Sequence, residues 1–167
     1  MAAKDDTIIV YGLLHEHQAI RQHAIQIRDT INKPEAKFLQ AADNWSDELV
    51  NEITAAYRNV QQAMSNINAG LRQHFEKEEK TLAPLIGILL TKALAQEHNN
   101  LLDKFSKARK LVNETKLDQL SREELLARSY EIRNAAVNIF DQIESHISKE
   151  EVILQLLRIV ISTSIYE

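Results

Sequence analysis

Residues 74–79 read HFEKEE, and residues 146–151 read HISKEE. In both, a histidine stands four places before a glutamate, although the whole chain of 167 residues holds only six histidines. On an α-helix, residues four apart share one face, about one turn apart. If both stretches are helical, each presents an imidazole and a carboxylate side by side. Whether that face looks to solvent or to a core depends on the residues around it.

Upstream of HFEKEE, Leu49, Ile53, Tyr57, Val60, Met64, Ile67 and Leu71 recur in steps of three and four, and the series runs on through His74 and Glu78 to Leu82. Around HISKEE, Leu125, Ile132, Ile139 and Ile143 lead through His146 and Glu150 to Ile153, Leu157 and Val160. Two further helical stripes each hold one histidine at a core position. His17 falls among Val10, Leu13, Ile20, Ala24, Ile27 and Ile31, and His98 among Leu94, Leu101, Phe105 and Val112. His15 and His23 lie roughly 200° and 240° round from His17, at about 100° per residue, and are expected in solvent.

Four stripes predict four helices. The first is expected over residues 7–31, stopping before Asn32-Lys33-Pro34. The second opens near Trp45-Ser46, with Ser46 or Asn44 as its cap. Pro84 fits the first turn of the third, where its missing N–H costs nothing. Ser121-Arg-Glu-Glu124 is a capping-box pattern opening the fourth. Residues 35–43, EAKFLQAAD, are the candidate for a short extra helix in the first crossover. The expected fold is all-α, an antiparallel up-down-up-down four-helix bundle in a single domain over residues 1–167.

Composition agrees. Three glycines, two prolines and 5% aromatic residues are too few for a turn-rich β fold. A net charge of −4 without a block of one sign gives no basic surface for nucleic acid. The absence of cysteine excludes disulfides, iron–sulfur ligation and thiol chemistry on this chain. No apolar run approaches 18 residues, and the opening MAAKDDTIIVYGLL lacks the layout of a signal peptide, so no membrane role and a cytoplasmic location are expected.

A lone core histidine is more often a hydrogen-bonded structural residue than a ligand, and a run such as EKEEK is usually a solvated face. Here the combination decides. Glu16-His17 in LLHEHQAI and Glu97-His98 in LAQEHNNL are each followed, on the next helix, by His-x-x-x-Glu. The unit is used twice, which groups His17 with His74 and Glu78, and His98 with His146 and Glu150. An uncompensated buried carboxylate costs several kcal/mol, against roughly 5–15 kcal/mol for the stability of a whole domain. Metal cations offset that cost. Mixed imidazole and carboxylate ligands suit iron, and also admit zinc or manganese. Glu16 and Glu97 are candidates to orient metal-bound histidines, or else surface residues. Glu79 and Glu151 sit about 100° off the ligand face and are expected in solvent.

The ordered set His, His-x-x-x-Glu, His, His-x-x-x-Glu resembles the hemerythrin-like (HHE cation-binding) family, from the first helix through Glu150. The resemblance implies two iron ions near one end of the bundle, bridged by an oxo or hydroxo group. His17, His74, His98 and His146 would be terminal ligands, and Glu78 and Glu150 bridging carboxylates. Oxygen-carrying hemerythrins typically have five histidines, with a His-x-x-x-His pair on the third helix and an aspartate five after the last histidine. In this chain Leu94 and Leu102 occupy both places four from His98, and the last carboxylate follows at four. The nearly symmetric set is more similar to di-iron domains implicated in iron sensing and in repair of iron–sulfur centres. The Glu-x-x-His motif of ferritin-like di-iron proteins is absent.

With both glutamates bridging, one coordination place stays open on each iron. The expected function is therefore binding of a small ligand: dioxygen, nitric oxide or peroxide. The alternatives are a di-iron enzyme that removes peroxide or nitric oxide or donates iron for repair, and an iron- or oxygen-sensing regulatory module. The sequence leaves open which of these applies, and whether the bundle forms a homodimer or meets another protein.

Overall fold

The computed structural model describes residues 2–40, 45–116 and 120–163. They form three helices, α1 (Ala2–Gln40), α2 (Asp47–Glu114) and α3 (Arg122–Thr163), and no strand occurs among them. Within α2, Gly87 has φ 77° and ψ 164°, a conformation that interrupts the helix and that glycine alone adopts without steric cost. Its two arms, residues 47–86 and 88–114, fold back on each other. Glu79 meets His98, and Gln61 Nε2 donates to the carbonyl of Val112 at 3.0 Å. The chain therefore makes four rods.

Neighbouring rods run antiparallel. Arg21 pairs with Glu151 and Arg28 with Asp141 across α1 and α3. Lys149 Nζ donates to Glu97 at 2.8 Å, and Lys104 Nζ to Gln142 at 2.6 Å, across the second arm of α2 and α3. The bundle is all-α and up-down-up-down, as the stripes require.

Two boundaries differ from expectation. The reversal between the second and third rods is at Gly87, and Pro84 lies in the last turn of the preceding arm rather than opening the next. The first helix does not stop before Asn32-Lys33-Pro34 but continues to Gln40. A proline removes one helical hydrogen bond, and the good helix formers that follow, Glu35, Ala36 and Lys37, carry the helix on. The separate short helix expected over 35–43 is thus a continuation of α1 as far as Gln40, and 41–43 lie outside the described residues.

The caps are as expected. Ser46 caps α2, its hydroxyl accepting from the Leu49 N–H at 3.3 Å; Asn44, the other candidate, lies outside the described residues. At the start of α3 the box closes both ways. The Ser121 N–H donates to the Glu124 carboxylate at 2.9 Å and the Glu124 N–H to Ser121 Oγ at 3.3 Å.

The core is in two parts. A larger cluster runs along most of the bundle and includes Leu71, Phe75, Leu101, Phe105, Ile143 and Ile147. A smaller one, of Val10, Leu13, Leu82, Leu94, Leu154 and Ile161, closes one end. Each rod passes from one cluster to the other through the position of a predicted ligand. Val160, expected on the inner stripe, is 59% exposed, and Ile161 takes the inner place. Tyr57 is buried in the larger cluster. No helix of the described residues is long and apolar enough to cross a membrane.

Candidate metal centre

A polar layer separates the two apolar clusters. His17 comes from α1, His74 and Glu78 from the first arm of α2, His98 from its second arm, and His146 and Glu150 from α3. All six are buried, none more than 4% exposed. His15 and His23 are exposed, as their angular positions require.

The six side chains converge through their inner atoms. His17 Nε2 lies 3.5 Å from Glu150 Oε2 and 3.9 Å from Glu78 Oε1. His74 Nε2 and His98 Nε2 stand 3.6 and 3.5 Å from Glu78 Oε2. His98 Nε2 also hydrogen-bonds Glu150 Oε1 at 3.0 Å, and His146 Nε2 lies 2.7 Å from that oxygen without the alignment of a hydrogen bond. Two groups have ligand atoms all within 4.8 Å of one another: His17, His74, Glu78 and Glu150, and His98, His146 and Glu150. Glu150 belongs to both.

These residues fit a cation. His17 Nε2, His74 Nε2, His146 Nε2, both Glu78 oxygens and Glu150 Oε2 are buried with no hydrogen-bond partner. A buried polar atom without a partner is costly, and six such atoms in one layer make a donor set for positive charge. Imidazole nitrogen and carboxylate oxygen are ligands of the borderline divalent metals.

The electrostatics divide the layer. Burial is the largest effect on His17 and holds it down to about 4, with the neighbouring His74 charge acting the same way. Burial also opposes charge on His98. Hydrogen bonds to Glu150 and Glu79, with the Glu78 carboxylate close by, outweigh it and push His98 up to about 9. Burial raises the Glu78 carboxyl. Glu150 is held below the usual range: burial works against this, but the His146 and His98 imidazoles prevail.

Outside the layer, each imidazole turns its Nδ1 to a carboxylate on a neighbouring rod. His74 Nδ1 donates to Glu16 at 2.9 Å and His98 Nδ1 to Glu79 at 2.8 Å. His146 Nδ1 faces Glu97 at 3.4 Å, and His17 Nδ1 faces Glu151 at 3.8 Å. The four contacts run in one sense round the bundle: α1 holds the histidine of α2's first arm, that arm holds the second arm's, the second arm holds α3's, and α3 faces that of α1. Lys77 pairs with Glu16, Lys149 with Glu97 and Arg21 with Glu151.

Of the two candidates to orient histidines, Glu16 hydrogen-bonds the outer nitrogen of His74, and Glu97 faces that of His146 without a hydrogen bond. Glu79 and Glu151 do not lie free in solvent as expected. They are half-buried against the next rod, because a residue on the flank of one helix faces its neighbour in a bundle. The repeated phrase carried that signal: both copies read His-x-x-Lys-Glu-Glu, and the lysine and second glutamate recur along with the ligand pair. Phe75 was also missed. Its ring stacks on His98, with centroids 3.9 Å apart and planes within 5°, and meets His146 edge-on at 5.6 Å.

A family model, the hemerythrin HHE cation binding domain, matches residues 8–157, nearly the whole chain. No curated protein and no solved structure matches it.

Proposed function

The chain belongs to the hemerythrin HHE cation-binding family, and we propose that it is a non-haem di-iron protein that binds dioxygen, nitric oxide or peroxide inside the bundle. His17 and His74 would hold one ion, and His98 and His146 the other. Glu150, which belongs to both ligand groups, and Glu78, which faces both His74 and His98, would lie between them. The observation that carries this reading is the set of six buried, unpartnered nitrogen and oxygen atoms from three rods, met by His98 from the fourth.

Iron in such a site supplies reversible redox chemistry and an open coordination place for a small ligand. The protein's own part is positional. Glu16 and Glu79 hold the outer nitrogens of two imidazoles by hydrogen bonds, and Glu97 faces that of a third, which would keep the inner nitrogens aimed at the ions and raise their basicity. Leu13, Leu82, Leu94 and Leu154 cover the layer on one side, and Leu71, Phe75, Leu101 and Ile143 on the other. These apolar layers restrict the centre to small ligands.

Elemental analysis of protein purified without added metal, with His74→Ala alongside, tests the metal. About two irons per chain, reduced or lost in the variant, is the expected result. Stoichiometric zinc would redirect the reading to a structural ion, and a stable metal-free protein would end it. Optical spectra through cycles of oxygen and nitric oxide then test the function. A reversible change supports binding, whereas continuous consumption of peroxide or nitric oxide makes the protein an enzyme.

A further inference from the structure

Past the centre, α3 ends in VILQLLRIVIST, residues 152–163, where Arg158 is the single charged side chain. A helix that is apolar on every side is normally covered on every side. This one is covered on its inner side only. Leu154 and Ile161 are buried in the smaller cluster, with Leu157 packed against it. Val152, Leu156, Ile159 and Val160 are 60, 58, 55 and 59% exposed. Their spacing of four, three and one makes a second apolar stripe on the outer face.

The stripe is continued by the neighbouring rods. The Glu97–Lys149 and Lys104–Gln142 contacts fix the antiparallel register of α3 against the second arm of α2, and that register sets Leu90 level with Leu156. Leu90 lies seven residues before Glu97, hence on the same side, facing the α3 seam. It is 53% exposed, and Leu89 beside it 81%. On the other flank, the register of the Arg21–Glu151 and Arg28–Asp141 pairs sets Tyr11, 54% exposed, level with Ile159. The patch thus has seven large apolar side chains. At roughly 100 Å² apiece they approach the 800 Å² or so that one partner gives to a stable interface, above the roughly 300–600 Å² of the largest patch on an ordinary monomer.

The charge pattern selects the occupant. At the head of the stripe Lys149 is matched with Glu97 and Glu151 with Arg21, and Arg158 is the one further charge along it, so there is no cluster of charge to call for a charged partner. A membrane surface favours a stripe framed by free lysine and arginine, whereas this chain carries a net charge of −4. An uncharged apolar stripe is complementary to itself, which suits a two-fold interface between identical surfaces. We infer that the protein is a homodimer in which α3 residues 152–160, with Leu89 and Leu90, pack against the same residues of a second copy. The interface does not depend on which metal the centre holds.

Sedimentation or light scattering on the purified protein, compared with the double variant Leu156→Glu, Val160→Glu, tests it. The expected wild-type mass is twice 19.1 kDa. The double variant should keep its helix content and weaken dimerisation at least about 100-fold, while Ile25→Glu, at an exposed residue on α1, changes nothing. Because the chain has no cysteine, Ile159→Cys gives a second readout that needs no disruptive charge, since mild oxidation should crosslink the dimer. A wild-type monomer at about 100 µM, a dimer that survives the double substitution, or binding of a monomer to lipid vesicles through the same residues would each overturn the inference.

Discussion

In the half of the centre built by His98 and His146, both inner nitrogens come within 3.0 Å of Glu150. In the half built by His17 and His74, the nearest carboxylate oxygens stand 3.5 and 3.6 Å away, and neither inner nitrogen has a hydrogen bond. The sequence repeats the same phrase for both halves, yet one is drawn together round Glu150, with His98 pushed towards its charged form, and the other stands further apart, with His17 held towards its neutral form and Glu78 unpartnered. The neighbours break the symmetry. Phe75 stacks on His98, while the corresponding place in the second copy of the phrase is Ile147. Ligand types can be duplicated by a repeated motif; their protonation is set by what packs round each copy.

Removing the shared carboxylate should have the largest effect. Glu150 borders both ligand groups and Glu78 only one. Glu150→Ala is therefore expected to lose nearly all bound metal, and Glu78→Ala to retain about half of it. Metal content per chain by elemental analysis distinguishes them, and equal losses would break the distinction between the two halves.

Chelation comes next. A ligand that binds only the folded state at about 1,000 times its dissociation constant stabilises by roughly 4 kcal/mol. For a chain of this size that is on the order of 10 °C in Tm. Scanning calorimetry before and after chelation should show such a fall, reversed by iron. No change would mean that the polar layer is satisfied without a cation.

The metal-free protein should then reveal the two halves through pH. His17, held down to about 4 when folded, takes up a proton more readily in the unfolded chain. Stability contributed there falls as pH drops from about 6.5 to about 4 and is level below that. His98, pushed up to about 9, does the reverse: its contribution is complete below about 6.5 and is lost as pH rises through about 9. Each shift corresponds to roughly 3 kcal/mol, so urea unfolding should give a maximum near pH 6.5. His17→Gln should flatten the acid limb and His98→Gln the alkaline one. If both variants affect the same limb, the halves do not differ in protonation.

Much of this was legible in the sequence, for a physical reason. Core stripes and inward ligands both follow from the angular position of a residue on its own helix, and Val10, Leu13, His17 and Ile27 sit where about 100° per residue puts them. The same argument failed where a second helix matters. Glu79 and Glu151 were placed by their angle from His74 and His146 alone, which says nothing of the neighbouring rod on that flank. Val160 failed similarly, because residues 152–161 carry an apolar stripe on two sides and periodicity does not say which faces in. Gly87 was overlooked because Pro84 is the louder helix signal, although only a glycine meets a φ of 77°.

The outer carboxylates give the smallest and most discriminating test. Glu79 lies 2.8 Å from His98 Nδ1, and among the described residues no lysine or arginine pairs with it. Glu151 lies 3.8 Å from His17 Nδ1 and shares its charge with Arg21. An orienting carboxylate on a ligand histidine is worth about 10–100-fold in metal affinity, and the charge that Arg21 draws from Glu151 leaves less of it for His17. Glu79→Gln should therefore weaken metal binding roughly 10-fold or more, with Glu151→Gln at the foot of that range or below it. Competition with a chelator of known affinity measures both. A carboxamide can still accept a hydrogen bond from Nδ1, so a loss in Glu79→Gln reports the missing charge rather than a missing contact. Equal affinities in the two variants would mean that the outer ring fixes geometry alone, and that the difference between the halves resides wholly in Glu78 and Glu150.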